Sequence, residues 1–297
     1  MTNKNMKKKE QILAYIFLIP AGVIILVFYI FPTFYSWWIS LFNWDLILKI
    51  KEFTGIKNYV NLFSDFEFWK SLFNTFYFAL GTIPASIIIS LIIAICLNSK
   101  IRGLSFYRTV YFLPVITSIN AVAMIWLYIY HPDTGLLNYL LSLFNISSQK
   151  WLLDPVLAMP AVILMSIWKN LGYDIIIFLV GLQSIPKEYY EAAQIDGANT
   201  FKAFKYITLP LLMPTLFFVA IVSLISSFHT FTQVFMLTRD GGPLHSTSVI
   251  VYYLYENAFV FQKMSYACTV SVVIFIIVFS LTLIQYKFWG EKVHYEV

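Results

Sequence analysis

The side chains able to do chemistry in this 297-residue chain are few, and most of them sit inside apolar runs. Ser223, Ser226, Ser227 and Thr230 recur at helical spacing within 209–236, so at ~3.6 residues per turn they share one face. Hydroxyls on such a face have two uses. They can bond to neighbouring helices or to their own backbone, or they can line a wall for a hydroxyl-rich solute such as a sugar. Trp168, Lys169, Asn170 and Tyr173 form a second polar group within 156–182, with Asp174 beside them. The rings of Trp168 and Tyr173 offer flat faces to a pyranose. Lys169, placed at the outer end of its run, and Asp174 can instead pair with each other or snorkel to the outer interface. Asn120, within 107–130, is a further candidate for the same wall, and His229 reads as a packed or cavity-facing polar residue.

Catalysis has little to work with. His131, His229, His245 and His294 are scattered, and no spacing suggests a metal site. Cys96 and Cys268 both lie in apolar runs and read as reduced, buried and structural. No G-x-x-x-x-G-K-[ST] string occurs, so ATP bound through a P-loop has to be bound by another chain.

The remaining chemistry lies in a polar island, Pro186 to Pro214, PKEYYEAAQIDGANTFKAFKYITLPLLMP. It reads as two short helices. Ser184 and Pro186 suit a helix start, and Asp196-Gly197 suits a stop because glycine accepts the left-handed conformation that ends helices. Asn199 or Thr200 can cap a second helix, which Pro210 is expected to disrupt. Ala192 and Ala193 let another surface approach closely. Tyr189, Tyr190, Ile195, Phe201 and Phe204 would be costly to leave in water as one patch. The island therefore reads as a docking knob for a soluble partner.

These residues must be positioned by membrane helices. The chain is 60% hydrophobic and only 12% charged, with a mean hydropathy of +0.75, which excludes an ordinary soluble domain. A bilayer core of ~30 Å needs roughly 20 apolar residues as a helix. Six stretches qualify: 12–32, 71–97, 107–130, 156–182, 209–236 and 266–288. The first follows Lys7-Lys8-Lys9 and reads as a retained signal anchor. With the N-terminus inside, Lys4, Lys7, Lys8, Lys9, Lys100, Arg102, Arg108, Lys187, Lys202, Lys205, Lys287 and Lys292 are cytoplasmic, while Asp45, Glu52, Asp133, Asp154 and Asp240 fall outside. The positive-inside rule then places both termini and the island in the cytoplasm. Trp37, Trp38, Trp69, Trp126 and Trp151 gather near the outer interface as a belt. This bias accounts for the net charge of +5 without nucleic acid. Between spans, 33–70 reads as a long outer loop, and 131–155 and 237–265 as shorter ones. The latter is opened by Gly241-Gly242-Pro243.

The island also carries a resemblance. Glu191-Ala192-Ala193-Gln194-Ile195-Asp196-Gly197-Ala198 followed by ITLPLL resembles the EAA loop of ABC importer permeases. Pro20 to Leu46, Phe53 to Tyr77, Tyr111 to Pro114, Pro132 to Asn138 and Thr238 to Phe259 are similar to blocks of the carbohydrate-uptake permeases of the maltose and glycerol-phosphate type. The resemblance implies an all-α integral membrane protein of six transmembrane helices with the type I importer permease (MetI-like) fold. It implies a tail, first helix and outer loop over 1–70, a transmembrane domain over 71–290 and a coupling loop over 186–210.

On that resemblance, Glu191, Ala192, Ala193, Asp196, Gly197 and Ala198 sit in a cleft of an ATPase subunit. The helices flanking the loop line the substrate cavity, which points to Trp168, Lys169, Asn170, Tyr173, Ser223, Ser226, Ser227 and Thr230. The implied partners are a second homologous permease, two ABC ATPase subunits, an extracytoplasmic solute-binding protein, a sugar and membrane lipid, with no cofactor and no catalytic residue in this chain. A different solute such as glycerol phosphate is the alternative within the class; a membrane enzyme or a stand-alone channel lies outside it. Two stretches depart from the family pattern, Arg239-Asp240 before Gly241 and Met264-Ser265-Tyr266, and both are expected to bear on contact with the solute-binding protein.

Overall fold

Apolar length decides most of the elements. In the computed structural model, which describes residues 2–44, 51–99 and 103–289, four helices are long and apolar enough to cross a membrane: Leu13–Ser40, Phe66–Asn98, Ala158–Gln183 and Met264–Phe288. Two bent helix pairs raise the number to six if each pair is one span. Asp45, Lys100, Arg102, Lys292 and His294, which entered the charge and histidine readings, lie outside the described residues.

The chain packs as two compact units. One comprises residues 1–65 and 254–275. It begins with α1 (Thr2–Ile25), which runs through a π-helical turn, Leu26–Ile30, into α2 (Phe31–Ser40). The first span is therefore longer than 12–32, and residues 33–40 belong to it and not to an outer loop. Two short strands follow, β1 (Phe42–Trp44) and β2 (Lys51–Phe53), paired antiparallel with Phe42 opposite Phe53. They are a small exception to the all-α expectation. After them comes α3 (Lys57–Phe63).

Ser40 ties this unit together. Its hydroxyl bonds to the Trp37 carbonyl at 2.6 Å and to the Tyr59 hydroxyl at 2.7 Å, and its carbonyl accepts from Asn58 at 2.9 Å. Ser265 is buried and accepts from the Trp44 amide at 2.8 Å, while the Tyr266 hydroxyl donates to Asp65 at 3.0 Å. The departure at 264–266 thus has an internal use in holding this unit together. The Lys51 ammonium stands 3.6 Å above the Trp38 ring and 5.0 Å from Phe42 and Trp44, a cation–π cluster that fastens the hairpin to the end of α2.

The other unit comprises residues 66–253 and 276–297. Its helices are α4 (Phe66–Asn98), α5 (Leu104–Ile116), α6 (Ile119–Ile129), α7 (Leu136–Leu143), α8 (Ala158–Gln183), α9 (Lys187–Ile195), α10 (Thr200–Ala203), α11 (Leu209–Leu211), α12 (Met213–Phe228) and α13 (Thr232–Thr238). α14 (Ile250–Tyr255) and α15 (Met264–Trp289) each contribute to both units. The helices α7 and α14 lie in stretches read from sequence as loops.

Two expected spans are broken. α5 and α6 meet at 99° because Thr117 and Ser118 leave the helical region, with ψ of 139° and 136°. In the next broken pair the helix passes Pro210 and bends by 62° at Leu212, just before Pro214 in the first turn of α12. A proline fits the first turn of a helix, where its missing N–H has no bond to lose. α12 then stops at Phe228 and not near 236.

Two apolar cores lie along α8. One joins its Met159, Val162 and Met165 to Phe78, Trp126, Val234 and Tyr252; the other joins Ile175, Phe178 and Leu182 to Ala94, Leu212 and Val219. Trp126 is buried in the first core, so it is not part of an interfacial belt. Cys96 is exposed on its helix, contrary to the buried reading.

Candidate functional site

Between the two apolar cores, at the midpoint of α8, the unit is polar. A cavity of about 330 Å³ opens there. α4 contributes Phe78, Thr82, Ile83 and Ser86; α5 contributes Val115; α8 contributes Ser166, Ile167, Lys169, Asn170, Tyr173 and Asp174. Val222, Ser223, Ser226 and Ser227 of α12 complete the wall with Thr230 and Gln233. Polar residues on three helices fall at one level here, interleaved with Phe78, Ile83, Val115, Ile167 and Val222.

Seven of the eight sequence candidates line it: Lys169, Asn170, Tyr173, Ser223, Ser226, Ser227 and Thr230. Trp168 does not. On α8 the stripe 166, 169, 170, 173, 174 follows the i, i+3, i+4 rule, and position 168 points off it. The Trp168 ring instead packs edge-on against Trp126 at 5.7 Å. Asn120 is likewise absent from the lining.

The bonding settles several alternatives. Lys169 and Asp174 do not pair with each other. The Lys169 ammonium donates to the Val115 carbonyl at 2.9 Å, and buried Asp174 accepts from the Ser86 hydroxyl at 2.6 Å. Nor does Lys169 lie at the outer end of its span: it stands near the middle of a 26-residue helix. Of the hydroxyls, Ser227 donates to the Ser223 carbonyl at 2.8 Å and Thr230 to the Ser226 carbonyl at 3.4 Å. Backbone bonding and cavity lining therefore coexist, since each oxygen keeps acceptor capacity toward the cavity. Thr230 keeps its place although α12 has already ended, because the turn after Phe228 folds back on the Ser226 carbonyl.

Thr82, Ser86, Ser166, Asp174 and Gln233 were not among the sequence candidates. Their signal was present. Thr82, Ser86 and Ser90 recur every four residues on α4, and Ser166 and Gln233 each stand three residues from a named candidate.

The polar island has its own geometry. α9 starts after Pro186, whose ψ of 139° is extended. Ser184 bonds back to the Gly181 carbonyl and so finishes α8; it does not start α9. At the other end the Gly197 amide reaches the Gln194 carbonyl at 3.1 Å and the Ala198 amide reaches that of Ala193 at 2.8 Å. This is a Schellman closure with Gly197 at φ +74°. The Asn199 side chain accepts from the Lys202 amide at 2.9 Å and caps α10.

Of the residues expected to be costly in water as one patch, Tyr190 is tied down, through a 2.9 Å bond to Thr208. Ile195 and Phe201 point outward, 87% and 69% exposed. Glu191, Ala192, Asp196 and Gly197 are exposed, and Ala193 and Ala198 are half-buried. Among the described residues neither Glu191 nor Asp196 enters an ion pair.

The family model "Binding-protein-dependent transport system inner membrane component" matches residues 60–288. A probable ABC transporter permease, YurN of Bacillus subtilis, is 38% identical over 96% of this chain and 98% of its own length. The trehalose/maltose transport system permease MalF of Thermococcus litoralis is 33% identical over 97% and 96%. Among solved structures, a chain of a bacterial alginate ABC transporter in complex with its periplasmic protein superposes with a TM-score of 0.82, at 24% identity and 94% coverage of both chains, which shows a shared fold. The family match over residues 60–288 and relatives of this identity along nearly the whole chain leave one assignment: the chain belongs to the family of inner-membrane components of binding-protein-dependent ABC transport systems.

Proposed function

We infer that this permease conducts a sugar through the cavity between its two apolar cores. As an importer permease it works with a solute-binding protein and an ATPase. In the reading put forward here it pairs with a second, homologous permease, and both are bathed in membrane lipid. Two ATPase subunits dock on the 186–210 loops from the cytoplasm, where both termini also lie, and the solute-binding protein delivers sugar from outside. Closure of the ATPases draws the loops together and turns the cavity outward, a rigid-body form of alternating access. Hydrolysis belongs to the ATPase subunits, and this chain is no enzyme.

The carrying observation is the cavity lining. Its volume falls at the lower end of ligand pockets, its polar side chains come from α4, α8 and α12 together with Thr230 and Gln233, and Tyr173 adds a half-exposed ring. The trehalose/maltose relative supports the same solute class. A phosphorylated solute fits less well. Among the described residues Lys169 is the one cationic side chain in the lining, and one of its donors is committed to Val115.

The test is uptake of labelled di- and oligosaccharides by the reconstituted complex. Ser223→Leu with Ser226→Leu is expected to lower uptake per assembled complex at least tenfold while the ATPase subunits still co-purify. Unchanged uptake per complex removes the cavity from the path.

A further inference from the structure

The third membrane crossing is interrupted in mid-course, and an interruption there exposes backbone carbonyls that lipid cannot satisfy. α5 ends at Ile116, Thr117 and Ser118 are extended, and α6 departs at 99°. The Leu113 carbonyl is met locally, by the Thr117 hydroxyl at 2.8 Å. The Val115 carbonyl is met from another helix, by the Lys169 ammonium at 2.9 Å. A cation at a helix C-terminus also complements the negative end of the helix dipole.

The reach is built in. One turn beyond Lys169 stands Gly172, where an added Cβ would fall on the Tyr111 carbonyl oxygen and lie 2.8 Å from Val115 Cγ2. α8 thus approaches α5 at backbone distance, and Lys169 arrives at the helix end. Both Lys169 and Val115 line the cavity. Asp174, the carboxylate facing the same cavity from α8, is held by Ser86 and leaves Lys169 uncompensated.

We propose that Lys169 is a positioning residue that caps α5 at this break and shares its ammonium between the Val115 carbonyl and the oxygen atoms of a bound solute. An ammonium has three donors, and one is used. Solute in the cavity competes for the same group, so occupancy acts on the junction between α5 and α6. The capping half stands on the contacts alone. The sharing half rests on the transport reading above.

Hydrogen exchange of the full chain in lipid nanodiscs tests the cap. Lys169→Met is expected to raise exchange in the segment 112–120 at least tenfold, with segments 159–166 and 216–222 unchanged and with Lys169→Arg within twofold of wild type. Unchanged exchange at 112–120, or an equal rise in all three segments, overturns it. Where Lys169→Met does not accumulate, Lys169→Gln, which keeps a donor and loses the charge, gives the same comparison. For the sharing half, the assembled complex is assayed for ATP hydrolysis with and without its solute-binding protein. Lys169→Met is expected to reduce that ratio at least fivefold at equal assembly, and Lys169→Arg to preserve it. A preserved ratio in Lys169→Met overturns the sharing while leaving the cap to the exchange result. Failure of the sugar reading would show separately, as absence of sugar uptake by the wild-type complex.

Discussion

The cavity and the 186–210 loop are inverted images of each other. In the cavity, Asp174, Thr82, Ser86 and Ser166 are polar groups buried in a membrane helix bundle. In the loop, Ile195 and Phe201 are apolar groups turned toward solvent. The buried groups are satisfied within the chain, by Ser86 on Asp174 and by the Phe78 and Val162 carbonyls for Thr82 and Ser166, whereas the two apolar side chains of the loop face solvent. Buried polar groups persist where a solute or a neighbouring hydroxyl satisfies them. Exposed apolar clusters persist where a partner covers them. The two regions also use glycine for opposite reasons. Gly172 has no room for a side chain, whereas Gly197 has open space around it and a backbone at φ +74°.

That contrast gives the largest expected effect. Gly172→Leu drives a side chain into the α5 backbone, and overpacking of this kind costs about 1–3 kcal/mol or more. Folded protein recovered from membranes, read by fluorescence-detected size exclusion, should fall at least tenfold. Gly197→Leu strains one left-handed residue, a cost of about 1–2 kcal/mol confined to the cap, and should be recovered at wild-type levels. Equal losses in both variants would show that the loop, too, is held by packing.

Next in size is the loop itself. Ile195→Asp leaves unit packing untouched because its side chain meets solvent, but it places a carboxylate where a partner's apolar pocket should be. ATPase subunits co-purified per permease should fall at least tenfold, with Glu191→Arg giving a smaller loss because a rim charge contributes less than a buried anchor. If Glu191→Arg is the more damaging of the two, the contact is electrostatic and the exposed apolar residues are not what holds the ATPase.

How much of this was legible in the sequence differs between the regions for the same reason. The loop is set by local chemistry: Pro186 fixes an extended entry, Gly197 accepts the closing conformation, and Asn199 caps the next turn. Each acts within a few residues of itself, so the two-helix reading needed no tertiary information, while the misplaced edges, Ser184 and Pro210, lie where the island joins the spans. The cavity is assembled from helices far apart in the chain, and only half of it could be read. The hydroxyl stripe of α12 follows from spacing, but that Ser86 faces Asp174 across 88 positions depends on how α4 and α8 dock. The breaks were hidden too. Pro210 marked a helix interruption, yet the chain passes it and bends at Leu212, where α11 has ended, and nothing in the sequence reading marked the bend at Thr117–Ser118, where α5 ends. Trp168 has a ring that suits a sugar, but its angular position on α8 turns it toward Trp126 and off the cavity stripe.

Within the cavity, the hydroxyls should not be equivalent. Ser227 already donates to the Ser223 carbonyl, whereas Ser223 and Ser226 have no side-chain partner among the described residues. A hydrogen bond to solute lost in a dry site costs roughly 1–3 kcal/mol, which is about five- to 150-fold. Ser226→Ala is expected to raise the half-saturating sugar concentration by at least fivefold, and Ser227→Ala by less than half as much. The reverse order would make the α12 stripe a helix-packing feature and leave the cavity to α4 and α8.

The smallest effect separates cavity from core on a single helix. Trp168 and Tyr173 lie five positions apart on α8, both carry exposed rings, and either could stack on a sugar by composition alone. Only Tyr173 faces the cavity; Trp168 meets Trp126, a residue of the adjoining apolar core. Edge-to-face ring pairs contribute about 0.5–1.5 kcal/mol beyond their burial. Trp168→Leu should therefore lower the thermal midpoint of the purified permease by a few degrees while sugar uptake per assembled complex stays within twofold of wild type. Tyr173→Leu should do the opposite, leaving the midpoint in place and weakening uptake, since its half-exposed ring packs little but borders the solute. A drop in uptake with Trp168→Leu at unchanged stability would extend the sugar path past the α8 stripe toward Trp126, and the solute would then run along the first core as well as between the two.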